Sequence, residues 1–308
     1  MRPAWVPRRL GAKRHKVLTA LRDGGVALRH HDRLFELAQA HQVAAPLASL
    51  AAQRQEEVPE RWAERLAAVR AQNLLFEQRL GELAQRLDVL GVPWFATRGA
   101  ARLFDPLIPD RLCGDVDLYI LPEHWPHLER ELTATEGFER VVKRGETNRS
   151  TRHLIWRPGV TIELDMHLAL SPFHAEGGEV YEQLMRRRVR NAAGLWVLAP
   201  EDDYGMALIE ALIEAPANRL RRLWELEVLH GRLKAGERQR MRRRFGLRRW
   251  ASQLPEFVFR RVQGTVPMQR PEQLMVRYGG LSTLIFASRR PLHQTRSSLG
   301  LMLRRFRT

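Results

Sequence analysis

The chain has one cysteine, Cys113, in 308 residues. A single thiol excludes an internal disulfide framework, and the scattered histidines do not join it at any spacing used by zinc sites. Long apolar runs are missing as well: no stretch approaches the ~18 residues needed to span a bilayer. The basic start, MRPAWVPRRLGAKRHK, is not followed by the apolar segment of a secretory leader. These absences predict a soluble, unsecreted, cytoplasmic protein with no transmembrane segment. There is no internal repeat and no low-complexity linker. Aromatic residues make up 7% of the chain. The tryptophans at 94, 125, 156, 196, 224 and 250 are too dispersed to form a base-stacking platform and read as core or rim.

What is present is an ordinary globular composition, 44% hydrophobic and 28% charged, sufficient for one large domain or two modest ones. Acidic charge is in the minority. Lys+Arg 51 against Asp+Glu 35 gives a net charge of +16, and the pI is near 11.2, so anionic partners are attracted from all sides. An arginine-rich genome would produce the same bias without any polyanion partner. The runs Arg186-Arg187-Arg188, Arg219 to Arg222 and Arg238 to Arg249 all lie after residue 180. A basic C-terminal half facing RNA, DNA, anionic lipid or nucleotide phosphate has this distribution.

Residues 15–90 carry apolar residues at helical spacing, as in Val17-Leu18-Leu21, Leu34-Leu37-Ala38 and Leu80-Leu83-Leu87-Leu90. Gly91-Val92-Pro93 punctuates the chain, and the pattern changes. Trp94-Phe95-Ala96 reads as a short strand and Gly99 to Phe104 as the opening of a helix. Asp115 to Ile120 alternates with period two, a helix is predicted from about Pro122 to Glu136, and Val160 to Leu168 is a second alternating strand. Helical character returns over Glu201 to Glu214 and Leu220 to Leu233. The predicted fold class is α+β, a small mixed-sheet core embedded between helical regions, with boundaries at 1–90, 91–199 and 200–308.

Chemistry concentrates in that core. Residues two apart on a strand share a face, so Asp115 and Asp117 project together while Val116 and Leu118 point the other way. Neighbouring carboxylates repel unless a cation lies between them, and hard oxygen donors suit Mg²⁺. On the second strand Glu163, Asp165 and His167 share one face. A third carboxylate beside the first two would allow two metal ions to serve phosphoryl or nucleotidyl transfer. Taken alone, Asp-x-Asp is equally a pair of solvated acids at a strand end. The setting adds to it, because Gly99 at a strand-to-helix turn lets a phosphate approach the backbone N–H groups, making Thr97-Arg98-Gly99-Ala100 a candidate triphosphate cradle. Arg111 could pair with a core carboxylate, orienting the acidic strand, or with a γ-phosphate. Cys113 reads as a small buried residue.

Arg98-Gly99-Ala100-Ala101, then Arg111-Leu112-Cys113-Gly114-Asp115-Val116-Asp117-Leu118, then Glu163-Leu164-Asp165-Met166-His167, together resemble the uncharacterised bacterial nucleotidyltransferase family of the DNA polymerase β superfamily. That family typically shows a lysine-glycine-small residue turn, an arginine shortly before an Asp-Ile-Asp-Leu strand, and a later Asp-Leu-His strand. Pro200-Glu201-Asp202 and Arg222 to Leu226 resemble the helical region that follows, so roughly residues 30–235 are covered. The resemblance implies that Asp115, Asp117 and Asp165 are catalytic metal ligands for Mg²⁺ or Mn²⁺. It also implies that Arg98, Gly99, Ala100 and Arg111 serve the NTP. Ala100 lacks the hydroxyl usual at its position, Arg98 stands where lysine is common, and Glu210 and Glu214 replace histidines of the following helix. The expected activity is transfer of NMP from an NTP to an acceptor hydroxyl on RNA, protein or a small molecule, with release of pyrophosphate. A catalytically degenerate module that binds nucleic acid or another polyanion is the alternative. Metal-dependent hydrolysis is a third, and it leaves the glycine turn unexplained.

Overall fold

The computed structural model of the chain describes residues 17, 28, 32–135, 137–142, 151–157, 161–169, 178–214 and 220–247. Leu18, Leu21, Glu136, Val160, Arg219 and everything after Leu247, including Arg248, Arg249 and Trp250, lie outside the described residues. The elements in chain order are α1 (Asp32–Ala40), α2 (Ala44–Gln53), α3 (Glu60–Val89), β1 (Trp94–Thr97), α4 (Arg98–Arg102) and β2 (Asp115–Ile120). A 3₁₀ turn (Pro122–His124) then leads into α5 (Trp125–Thr133), β3 (Phe138–Val141), β4 (Thr151–Trp156), β5 (Ile162–His167) and α6 (Gly178–Arg187). The chain continues through β6 (Val189–Arg190), β7 (Trp196–Val197), α7 (Pro200–Glu214), α8 (Leu220–Arg232) and α9 (Ala235–Arg244).

The seven strands form one mixed sheet in the order β3-β4-β5-β2-β1-β7-β6. Parallel and antiparallel pairs mix in this sheet, helices lie before, between and after its strands, and the fold is α+β. Among the described residues no helix is long and apolar enough to cross a membrane.

The chain divides into two compact units that interleave in sequence. Among the described residues the first takes those up to 70, then 106–111, then those from 204 to 247; the second takes those of 71–105 and 112–203. The long helix α3 and helix α7 each supply both units.

In the second unit the alternation read from the sequence becomes two unlike sheet faces. One carries Trp94, Ala96, Val116, Leu118, Ile120, Leu154, Trp156, Ile162, Leu164 and Met166, which form a single apolar core with Phe76, Leu80, Leu83 and Leu87 of α3 and Trp125, Leu128 and Leu132 of α5. The α3 residues recur at three- and four-residue intervals, so one stripe of that helix covers the sheet. Each such side chain contributes about 1.5–3 kcal/mol by leaving water. The hairpin β3–β4, absent from the sequence-based expectation, pairs Phe138 with Trp156 across its strands, their rings stacked at 4.9 Å.

The first unit is helical. Phe35 of α1 meets Trp62 of α3 edge to face at 5.1 Å. Arg111 and Glu225 are both buried and joined at 2.7 Å. Gly205 of α7 has no room for a larger residue: a Cβ there would lie 2.3 Å from Phe245 Cε2, 2.6 Å from Phe245 Cδ2 and 3.0 Å from Met241 Cγ.

Glycine-to-alanine exchange in a helix normally stabilises by about 0.5–1 kcal/mol. Gly205→Ala should instead destabilise by about 1–3 kcal/mol, because Phe245 and Met241 must move. Gly81→Ala on α3, where a Cβ meets nothing within 4 Å, should show the ordinary gain. Urea melts of the two variants beside the parent measure the contrast.

Candidate active site

The second face of the sheet holds the polar chemistry, and strand pairing sets its layout. Strands β2 and β5 run parallel with Asp115 opposite Glu163, Asp117 opposite Asp165 and Tyr119 opposite His167. On the outer sides Thr97 of β1 pairs with Asp117, and His153 of β4 pairs with Asp165. Paired residues share a face. Thr97, Asp117, Asp165 and His153 therefore form one row across four strands. A second row, Phe95, Tyr119, His167 and Thr151, lies beside it.

The second row is an aromatic support. Phe95 and Tyr119 stack at 5.1 Å with an interplanar angle of 3°, and His167 stacks on Tyr119 at 4.6 Å and 14°. Tyr181 of α6 meets Phe95 and Tyr119 edge-on, each at 6.2 Å. Its hydroxyl lies 2.5 Å from the Ile120 carbonyl oxygen and 3.0 Å from that of His167, clamping the ends of β2 and β5. The stacked His167 ring is thus held so that Nε2 lies 2.8 Å from Asp117 Oδ1.

The polar row is a chain of charge compensation. Asp117 is only 1% exposed, and its Oδ1 also accepts from Arg98 Nη1 at 2.7 Å. A buried carboxylate with no positive partner would be strongly unfavourable. Asp165 is half-buried, and its Oδ1 lies 2.5 Å from His153 Nδ1. Asp115 sits exposed at the start of β2, opposite an equally exposed Glu163. The approach to Asp115 is fastened to α3, since the Cys113 carbonyl accepts from Gln72 Nε2 at 3.1 Å and the Cys113 sulfur bonds the Asp115 carbonyl at 3.3 Å. Cys113 itself is buried.

The turn between β1 and α4 carries an unusual backbone at Arg98. Arg98 adopts φ 52°, a left-handed conformation that costs a non-glycine residue about 1–2 kcal/mol. The neighbouring glycine, Gly99, lies inside the short helix and is buried, as is Ala100. Thr97 Oγ1 is buried and has no hydrogen-bond partner among the described residues.

Of the residues singled out from sequence, the structure brings Asp115, Asp117, Asp165, Arg98, Gly99 and Ala100 into one unit, with Asp117 and Asp165 adjacent. Arg111 belongs to the first unit and pairs with Glu225 of α8, a carboxylate outside the core to which the sequence had tied it. His153 and Tyr181 were not singled out, and Thr97 was named only as part of the glycine turn. Apolar Leu154, Ile155 and Trp156, with β-branched Ile155 and aromatic Trp156, were the signal for the strand that carries His153. Among the described residues no three His, Cys, Asp or Glu side chains converge on one point where a metal ion could sit.

Residues 28–254 match the family described as uncharacterised nucleotidyltransferase. The chain belongs to that family. Among solved structures, an antigenic nucleotidyltransferase-like protein from Paracoccidioides brasiliensis is similar at 16% identity over 68% of this chain and 91% of its own, with a TM-score of 0.43. No curated protein matches the chain. The family match takes in both the acidic strands and the helices that follow them, and it agrees with the resemblance drawn from the residues.

Two predictions follow from this geometry. The left-handed backbone at Arg98 separates from its ion pair by comparing Arg98→Ala with Arg98→Gly: both lose the guanidinium, and the glycine variant should be about 1 kcal/mol more stable in urea melts because φ 52° is unstrained for glycine. Burial pushes the Tyr181 hydroxyl well above the usual tyrosine value. Its proton is then retained in the folded state at a pH where the unfolded chain releases it, so this contribution is complete below about pH 10 and is lost as pH rises further. Tyr181→Phe should cost about 1 kcal/mol at pH 7 through the lost hydrogen bond. It should also flatten the fall of unfolding free energy above pH 10, read from urea melts at stepped pH.

Proposed function

We propose that the chain transfers a nucleoside monophosphate from an NTP to an acceptor hydroxyl and releases pyrophosphate, using Mg²⁺ or Mn²⁺ held by Asp115, Asp117 and Asp165. The observation that carries this reading is the register of β2 and β5, which sets Asp117 beside Asp165 on one face, with Asp115 two residues away on the same face. The donors suit the ion in kind, being hard carboxylate oxygens. A cation is already accommodated there, since the Arg98 guanidinium lies against Asp117. When bound, the metal would neutralise phosphate charge and favour the ionised form of the attacking hydroxyl.

The protein's own groups divide the remaining work. Arg98 exchanges Asp117 for a phosphate, to which its planar fork offers two parallel N–H donors. Gly99 and Ala100 bring backbone with little side-chain bulk to the same turn. Asp165 takes the proton of the acceptor hydroxyl as its oxygen forms a bond to the α-phosphorus. The bond from the α-phosphorus to the bridging oxygen breaks, and pyrophosphate leaves with the electron pair. His167, stacked on Tyr119, holds Asp117 in place throughout.

A second reading is a degenerate member of the family that binds nucleic acid or another polyanion without chemistry. It is favoured by the closed pairing of Asp117 with Arg98 and His167 and by the net charge of +16. Much of the basic C-terminal stretch lies outside the described residues.

The deciding experiment incubates the protein with each α-³²P-labelled NTP, Mg²⁺ or Mn²⁺, and a fractionated cell extract as acceptor, beside Asp115→Ala/Asp117→Ala. Label should appear in one fraction with the parent protein and fall by at least about 100-fold in the double variant, as expected when metal-mediated charge stabilisation of several kcal/mol is lost. Absence of label from every fraction, with a folded protein and steeply salt-dependent polyanion binding indifferent to Asp117→Ala, would establish the degenerate binder instead.

A further inference from the structure

We propose that His153 is a positioning residue for Asp165, fixing that carboxylate for metal binding and proton transfer; the inference rests on the transferase reading above. His153 lies on β4, a strand that carries none of the motif residues. Antiparallel pairing of β4 with β5 puts His153 directly opposite Asp165, and Nδ1 lies 2.5 Å from Oδ1. Both side chains are partly buried, 16% and 21% exposed, so the contact is shielded from water and has limited rotamer freedom. The strand that presents His153 is anchored in turn, since its carbonyl accepts from Arg140 Nη1 at 2.9 Å, and Arg140 Nε is held by Glu129 at 3.0 Å.

The arrangement repeats on both carboxylates of the row. Asp117 is supported by the Nε2 of His167, one row along on β5, and Asp165 by the Nδ1 of His153, one strand over on β4. Each imidazole uses one ring nitrogen on one carboxylate oxygen. Carboxylates that ligate metals are commonly oriented by such outer hydrogen bonds, and in this chain the two histidines do so through different nitrogens. The bond at His153 pins Oδ1 on the β4 side of the row, across from Asp117.

That difference in nitrogen supplies the test. An asparagine amide reaches the δ position occupied by His Nδ1, whereas a glutamine amide reaches the ε position. His153→Asn should preserve the bond to Asp165, and His153→Gln and His153→Ala should break it. The full chain and each variant are titrated with Mn²⁺ alone, free ion being read by electron paramagnetic resonance, and NTP transfer is measured in parallel. His153→Ala and His153→Gln should weaken Mn²⁺ binding by about 10-fold or more and lower kcat with KM for the NTP little changed, while His153→Asn should stay within about threefold of the parent on both.

Parent-like Mn²⁺ affinity in His153→Ala, or a His153→Asn variant no better than His153→Gln, would overturn the proposal. If His153→Ala does not fold, the asparagine and glutamine pair decides. Unfolding of all three variants, asparagine included, would make the residue purely structural and overturn it too. Failure of the transferase reading looks different: the parent itself would then neither bind Mn²⁺ nor transfer label.

Discussion

The parallel pairing of β2 with β5 is the constraint on which the candidate site depends. Its register sets Asp117 beside Asp165 and Asp115 beside Glu163, two neighbouring acid pairs on one sheet face. Strands in a sheet lie about 4.8 Å apart, a separation at which like charges oppose one another. The fold relieves the inner pair with groups drawn from three other places. Arg98 comes from the turn after β1, His167 from the next row of β5 and His153 from β4. A slip of β5 by one residue would send Glu163, Asp165 and His167 into the apolar core.

The two faces of the sheet explain why that register is so firmly held. On one, a continuous apolar core fills the space between sheet, α3 and α5. On the other, the aromatic row of Phe95, Tyr119 and His167, capped edge-on by Tyr181, supports the polar row beside it. Stacking fixes the plane of the His167 ring, and the ring's free choice of tautomer lets its Nε2 serve Asp117. Packing in one row thereby becomes geometry at a charged group in the row beside it.

Arg98 joins two features that are separately unfavourable, a left-handed φ in a residue with a side chain and an ion pair to an almost fully buried carboxylate. Backbone strain of this kind persists where the surroundings over-determine it and is concentrated at functional positions. Here the ion pair with Asp117 and the buried start of α4 hold the turn. The nearby Thr97 hydroxyl, buried without a partner among the described residues, is a second unfavourable feature at the same strand end.

The alternation in Asp115 to Ile120 and in Ile162 to His167 was legible from sequence because a strand's period of two is a local property of the backbone. So was the sharing of a face by Asp115 and Asp117 on one strand and by Glu163, Asp165 and His167 on the other, and so were the helical stretches up to residue 90 and over 201–214 and 220–233, whose apolar stripes repeat at 3.6. The β3–β4 hairpin went unread because β3 has only four residues and β4 does not alternate, Ile155 standing between the buried Leu154 and Trp156. Arg98, and not Gly99, carrying the left-handed turn could not be read either, since residue preference is overruled when an ion pair holds the backbone. Arg111 showed the same limit: proximity in sequence to Asp115 tied it to the acidic strand, and its partner in the structure, Glu225, is 114 positions away. Sequence by itself determined which residue types line each face and which family the chain resembles. Tertiary structure decided which strands become neighbours, and through that which imidazole meets which carboxylate, because such pairings depend on register between segments far apart in the chain.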